Sequence, residues 1–342
     1  MSKLHLLPTV KQYYKAGLHN HTNLSDGDPS PEELKARFQS QGYQIMAITD
    51  HEICIAHPEL NDKNFLTLNG YELAINSTAK PTPYTKAYHL CLIAKDPGNT
   101  AHVCFDRSYL RDFWPCSSLD VPIYNEEARE YSADYVNHFI EVATEAGYLV
   151  TYNHPSWSLQ TYPDYIGLKG LWGVEVYTGG TYLVGHDDLC SRTLDDLLEV
   201  GTRVFPLATD DTHKIARSCS GWLMVGAKQL SYPDVIAALE RGDFYASTGP
   251  ELKSLTLENG ILRITCSPCR LIRVSTECRR VYHATSGGGE LLTEAELDLR
   301  SWFSVFPERG EENAYFRLTL EDAEGHFAWT RAYFRDEVKD GF

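Results

Sequence analysis

From its start to about residue 248 the chain alternates short apolar runs with amphipathic stretches, and this alternation limits the folds open to it most severely. A short apolar strand followed by a helix-length segment, repeated along a chain, builds a parallel sheet or barrel covered by helices. Residues 31–41 read as a helix, with Pro31 in its first turn and Gly42 at its end. Residues 44–49 follow as a buried strand, and 65–73 and 86–94 are two more. A helix over 133–146 ends at Gly147 and leads into a strand over 148–152. The strand pattern returns at 173–177, 203–208 and 222–225, with helices over 194–200 and 233–241. A doubly wound fold would place a glycine-rich nucleotide loop after its first strand, and none is present.

Two segments, 76–88 and 97–131, break the rhythm. They are rich in Pro, Asn, Ser and aromatic residues and read as long ordered loops at the rim of the sheet, where barrel enzymes shape their pockets. After Gly249-Pro250 the texture changes. Short strands at 255–257, 261–266, 271–276, 280–283, 315–320 and 328–334 are separated by turn residues such as Asn259-Gly260. The expected organisation is an α/β unit over residues 1–248 and a small antiparallel β-sandwich over 249–342.

The 342 residues are 43% hydrophobic and 23% charged, enough to bury a core without disulfide staples. No run of about 18 apolar residues occurs, so no membrane span is expected. The N-terminus has no long apolar stretch of the kind a secretory leader carries. A net charge of −16 disfavours nucleic acid as a partner, because that affinity comes mostly from cationic contacts. Nine scattered cysteines, an odd number, read as reduced thiols of a cytoplasmic protein. The close pair Cys266 and Cys269 lacks a fourth ligand at matching spacing and reads as buried or turn cysteines.

The chemistry is concentrated in how histidines and carboxylates are placed. Six of the 13 His sit where a strand ends or a loop begins. His19 and His21 alternate, which puts both side chains on one face of an extended segment. Asp26 follows in a Ser25-Asp26-Gly27 turn that can return its carboxylate to the same place. His51 follows Thr49-Asp50, Glu72 ends a strand, His89 begins one, and His154 follows Asn153. Asp211 and His213 complete the set, again two apart. Imidazole and carboxylate suit divalent zinc, manganese or iron, and nine such groups exceed what one tetrahedral ion needs. Nearby, Arg217 and Lys214 are cations able to meet an anionic substrate, the arginine through its bidentate fork. Asp50, Asn153 and Asp210 adjoin this set either to orient imidazoles or to cap and turn the chain, and Glu175, at a strand end, either supports a ligand from behind or faces a helix. His57 and His186 read as surface loop residues. Tyr84, Tyr88, Tyr109, Trp114, Tyr124, Trp157 and Tyr177 lie in or near the rim loops, where they either pack the loops or stack on a substrate.

The ordered set of His19-x-His21 with Ser25-Asp26-Gly27, Thr49-Asp50-His51, Glu72, His89, Asn153-His154-Pro155 and Asp211-x-His213 resembles the PHP (polymerase and histidinol phosphatase) metallohydrolases over roughly residues 15–248. The TDDTH segment at 209–213, followed by STGP at 247–250 and a sandwich, is similar to the CehA/McbA-like subgroup. The resemblance implies a distorted seven-stranded β/α barrel with metals at the C-terminal ends of its strands. It implies that His19, His21, Glu72 and Asp211 hold one ion and that Glu72 bridges to a second, held by His89 and His154. Asp26, His51 and His213 would hold a third. The cofactor expectation is thus two to three divalent ions, zinc, manganese or iron. Asp211, His213 and Arg217 are the expected catalytic residues, with Arg217 and Lys214 contacting substrate.

The leading expectation is a metal-dependent hydrolase, specifically a phosphoesterase that cleaves a small anionic phosphate ester with metal-activated hydroxide. The alternatives are a carboxylic ester or carbamate hydrolase of the CehA/McbA type and a non-catalytic metal-dependent binding module. A small-molecule anion is the expected partner, with neither nucleic acid nor membrane, and the oligomeric state is left open.

Overall fold

The computed structural model describes residues 3–304 and 313–342, so part of the expected C-terminal unit, 305–312, lies outside the described residues. The fold is mixed α/β, with one large sheet running through most of the chain. Helices form where caps and apolar spacing coincide. Ser30 caps Pro31–Ser40 in a capping box with Glu33, which satisfies two backbone donors at once. Ser132 caps Ala133–Glu145, whose buried face is Val136, Phe139, Ile140 and Ala143, the spacing of one helical stripe. Burying each of its larger side chains stabilises the packing by about 1.5–3 kcal/mol.

Seven strands carry the first half of the sheet in chain order: Tyr14–Gly17, Ile45–Ile48, Leu66–Asn76, Ala87–Ala94, Tyr148–Tyr152, Gly173–Thr178 and Phe205–Thr209. Strand and helix positions follow the apolar pattern to within a few residues. The uniformly parallel arrangement expected from that pattern does not hold. Ala87–Ala94 runs antiparallel to both neighbours, Leu66–Asn76 and Tyr148–Tyr152. The reason is the connection: ten residues without a helix join the first two, too little chain for a parallel crossover but enough for a hairpin. Trp222–Val225 likewise pairs antiparallel with Tyr14–Gly17. Beyond the strands, the segments after the first and the seventh meet, since Asn20 bridges Thr212 in parallel and the His21 N–H donates to the Thr212 carbonyl at 2.9 Å.

The sheet does not stop at residue 248. Phe244–Ser247 pairs with Trp222–Val225 on one side and with Phe327–Thr330 on the other, and the sheet continues through Tyr315–Glu321, Leu271–Thr276 and Val281–Thr285. A separate four-stranded sheet combines Leu252–Glu258, Ile261–Cys269 and Leu292–Asp298 with the N-terminal Leu4–His5. The strand over 292–298 is not among those expected from sequence, because LTEAELD carries three acidic residues and little apolar alternation, and it lies mostly exposed. Leu257, Leu262 and Ile264 of the small sheet share a core with Ile272, Phe316 and Leu318 of the large one. No helix of the described residues is long and apolar enough to cross a membrane.

Candidate metal centre

The first two imidazoles are placed by a loop that folds back on itself. Asn20 turns its amide toward the carbonyls of Gly17 and Ala47, at 3.2 and 2.9 Å, so that it serves the backbone while its neighbours do not. Asp50 accepts from the Thr22 N–H, the Thr22 hydroxyl and the Ser25 hydroxyl at 2.6–2.7 Å. Asp50 therefore ties the loop rather than orienting an imidazole. Gly27 makes the closing approach: a Cβ there would lie 2.6 Å from the His21 carbonyl oxygen. The fold-back brings Asp26 within 3.3 Å of His213, 3.5 Å of His51 and 3.6 Å of His21.

Glu72 is the hub. It sits fully buried on Leu66–Asn76, beside a parallel extension ending at His51 and the antiparallel strand that begins near His89. Antiparallel pairing sets Ala74 opposite His89, so a residue at the start of one strand reaches the same end of the sheet as residues at the close of others. Glu72 oxygens lie 3.2 Å from His19, 3.1 Å from His154, and 3.3 Å from each of His21, His51 and His89. Asp211 Oδ1 completes the cluster at 3.2 Å from His19 and 3.1 Å from His21.

All nine expected ligands converge. Their potential ligand atoms form three groups, each within 4.8 Å: His19, Glu72, His154 and Asp211; His21, Asp26, His51 and His213; and His51, Glu72 and His89. These groups overlap the sets the resemblance implies, and the implied set of His19, His21, Glu72 and Asp211 is itself held together by spacings of 3.1–3.3 Å. His154 falls with His19, and His21 falls with Asp26, although His21 Nε2 also lies 3.2 Å from His19 Nε2. His21 and His51 thus stand between groups.

The donor set fits cations. A tetrahedral ion with N and O ligands at about 2.0–2.2 Å separates those ligands by roughly 3.3–3.6 Å, close to the spacings around His19, His21, Glu72 and Asp211. Glu72 Oε2, Asp211 Oδ1 and His21 Nδ1 are buried without a hydrogen-bond partner. Buried acceptors crowded together without donors are costly unless positive charge lies between them. The electrostatics agree. Burial opposes charge on His19, yet Cys91, Glu72, Glu175 and Asp211 together hold it well above the ordinary imidazole range. Burial likewise opposes His154, which Glu72, Asp211 and Glu175 push up to about 9. His51 is instead lowered to about 3 by burial and by the neighbouring His21. A divalent cation satisfies the same carboxylates and leaves the imidazoles neutral.

Around the ligands, Glu175 is the chief organiser. Its Oε1 takes the Nδ1–H of His19 at 2.7 Å and the Thr209 hydroxyl at 2.7 Å, which leaves His19 Nε2 facing the centre. Its Oε2 accepts from the His154 N–H and the Thr178 hydroxyl, each at 2.9 Å. Asn153 donates to Glu72 Oε1 at 2.8 Å. Asp210 accepts the N–H groups of Ser220 and Gly221 at 2.9 and 3.1 Å, holding the loop beyond His213. His154 and Asp211 both adopt positive φ, +24° and +49°, a backbone strain of the kind functional sites tolerate.

A cavity of 260 Å³ opens over this cluster and is lined by His51, His154, Asp211, Trp157, His186 and Arg217 among others. Arg217 is exposed and carries no ion pair among the described residues. Lys214 does not line the cavity; its ammonium lies 3.8 Å from Asp28 in solvent. His186, read from sequence as a surface residue, borders the cavity, and His57 is buried beside Glu59. Of the rim aromatics, Tyr88 and Tyr177 pack in the core, whereas Trp114 and Trp157 border the ligands.

Residues 17–177 match the family model of the PHP domain. Among solved structures, the chain is similar to a two-domain protein of Bacteroides vulgatus containing a predicted PHP-like metal-dependent phosphoesterase. They share 15% identity and a TM-score of 0.46, over 96% of this chain and 98% of that one. It is also similar to PsfC of Pseudomonas syringae, at 11% identity, a TM-score of 0.40 and coverage of 67% and 90%. An amidohydrolase of Chromobacterium violaceum matches at 15% identity and a TM-score of 0.34, over 58% and 87%. No curated protein matches the chain.

Proposed function

We propose that this chain, which carries a PHP domain over residues 17–177, is a metal-dependent hydrolase and that its reaction is cleavage of a small phosphate ester. The observation that carries the reading is the convergence of six imidazoles and three carboxylates, seven of which line one cavity, with Glu72 Oε2 and Asp211 Oδ1 buried there without a hydrogen-bond partner. We place the chain in the CehA/McbA-like branch on the strength of its TDDTH and STGP segments. We assign residues 1–248 to a PHP-type barrel, apart from Leu4–His5, which joins the strands of the sandwich assigned to 249–342.

His19, Glu72, His154 and Asp211 would hold one ion, with His21, Asp26, His51, His89 and His213 available for one or two more. Zinc, manganese or iron bound there would supply Lewis acidity and a water of lowered pKa. The protein does the rest. Glu175 fixes the His19 tautomer, and Asn153 holds one Glu72 oxygen. Trp114, stacked at 5.6 Å on His51, shields that side from water. Arg217 meets the anionic group of the substrate from across the cavity, and its planar fork suits phosphoryl oxygens. The arrangement favours a small anionic metabolite as partner.

The test is parallel turnover of an aryl phosphate and the matching aryl acetate by manganese-loaded protein, with Asp211→Ala as control. Control-sensitive cleavage of the phosphate is the expected result. Cleavage of the acetate alone would move the reaction to carboxyl esters. Wild-type turnover by Asp211→Ala at matched metal occupancy would remove the site assignment.

A further inference from the structure

The cavity over the ligands is continuous with a larger groove of 710 Å³, because Asp26, His51, His89, Trp157 and His186 border both. The volume lies in the range that holds a whole small-molecule group. The outer groove has a different character from the inner cavity. Trp114, Phe113, Tyr109 and Leu159 give it apolar walls, and Phe113 is 81% exposed, with no core to serve. Trp114 is nearly parallel to His51, at 11°, so a flat surface runs outward from the ligand set. The Trp114 indole N–H is buried there without an acceptor.

Two exposed guanidiniums near the site are divided between these spaces, while the buried Arg129 behind the groove is paired with Glu52. Arg217 lines the inner cavity and not the groove; Arg111 lines the groove and not the cavity. Arg111 is exposed and, among the described residues, has no ion pair, in a chain with a net charge of −16. We propose that the groove binds the part of the substrate that leaves with the ester oxygen, and that this part is flat and apolar and carries a second anionic group held by Arg111. The proposal rests on the hydrolase reading for the orientation of the substrate and on the groove itself for its chemistry. A carboxylate and a phosphate are the two anions that an arginine fork recognises in this way.

Binding is measured separately from turnover, by tryptophan fluorescence of the metal-loaded protein with phosphonates that cannot be cleaved. The probes are 4-carboxyphenylphosphonate, its uncharged carbamoyl counterpart, 1,4-phenylenebisphosphonate and methylphosphonate. Either aryl probe with two anionic groups is expected to bind about tenfold or more tightly than the carbamoyl compound, the value of one charge-assisted contact. The tighter of the two identifies the distal group. Arg111→Gln is expected to erase the preference, and Phe113→Ala to weaken all aryl probes while leaving methylphosphonate unchanged. Both side chains are exposed, and matching thermal melts confirm that the variants fold. Equal affinity for charged and uncharged probes, or a preference that survives Arg111→Gln, overturns the proposal. Phosphate-ester turnover without the preference keeps the phosphoesterase reading and removes the groove assignment. The preference without turnover does the reverse.

Discussion

At the level of single residues, the candidate ligands depend on groups that stand outside their three sets. Glu175 receives four hydrogen bonds, from His19, Thr209, His154 and Thr178, and so fixes two ligands from two strands. Replacing Glu175 with Ala is expected to lower metal affinity by about 10–100-fold, measured by competition with a chelator, because the His19 ring loses its tautomer and its orientation. Glu175→Gln keeps an acceptor for the Nδ1–H and should recover part of that loss. Unchanged affinity in both variants would show that His19 is held by packing alone. The apolar pattern does not say which face Glu175 takes, and the structure sets it third in Gly173–Thr178, inside the strand rather than at its end. A strand buried on both faces, as Gly173–Thr178 is, has no polar alternation to reveal orientation.

Among the elements, the rim loop over 97–131 is held by charge inside the protein. Arg129 donates two hydrogen bonds to Glu52, at 2.7 and 2.8 Å, and others to the carbonyls of Ala74 and Cys104. Both side chains are within a few per cent of full burial. Glu52 follows the ligand His51 and its N–H donates to the Glu72 carbonyl, so the pair links the loop to the floor of the site. Arg129→Ala leaves a buried carboxylate without its partner and is expected to cost about 3–5 kcal/mol in chemical denaturation. A loss under 1 kcal/mol would mean that water reaches Glu52. The hairpin between Leu66–Asn76 and Ala87–Ala94 shows what an apolar pattern cannot carry. Both strands were legible, but their relative direction came from the shortness of the connection between them.

For the whole molecule, the two parts expected from the change in texture at Gly249-Pro250 are stitched together. Phe244–Ser247 is completed by Phe327–Thr330, and Leu4–His5 pairs with Leu252–Glu258 from the other side of that boundary. Arg317, buried in the C-terminal part, forms a bidentate pair at 2.7 Å with Asp195 of the helix Ser191–Glu199. Ending the chain at residue 248 removes these partners and bares a sheet edge that includes Tyr245. The truncated chain is expected to aggregate or to lose its cooperative thermal transition. A soluble truncation as stable as the full chain would show that the two parts are independent.

The local chemistry was written in the chain. Apolar period and caps located most strands and helices, and the nine imidazoles and carboxylates that converge in the fold stood out as an ordered set, although any one of them alone at a strand end has blander uses. Long-range partners were not written there. Which ligands share a group, which face Glu175 takes, that Lys214 turns to solvent while Arg217 lines the cavity, and that the first strand belongs with the last sheet all depend on residues far apart in sequence. Periodicity constrains a residue only against its near neighbours, whereas packing and charge pairing act between segments that meet only when the chain has folded.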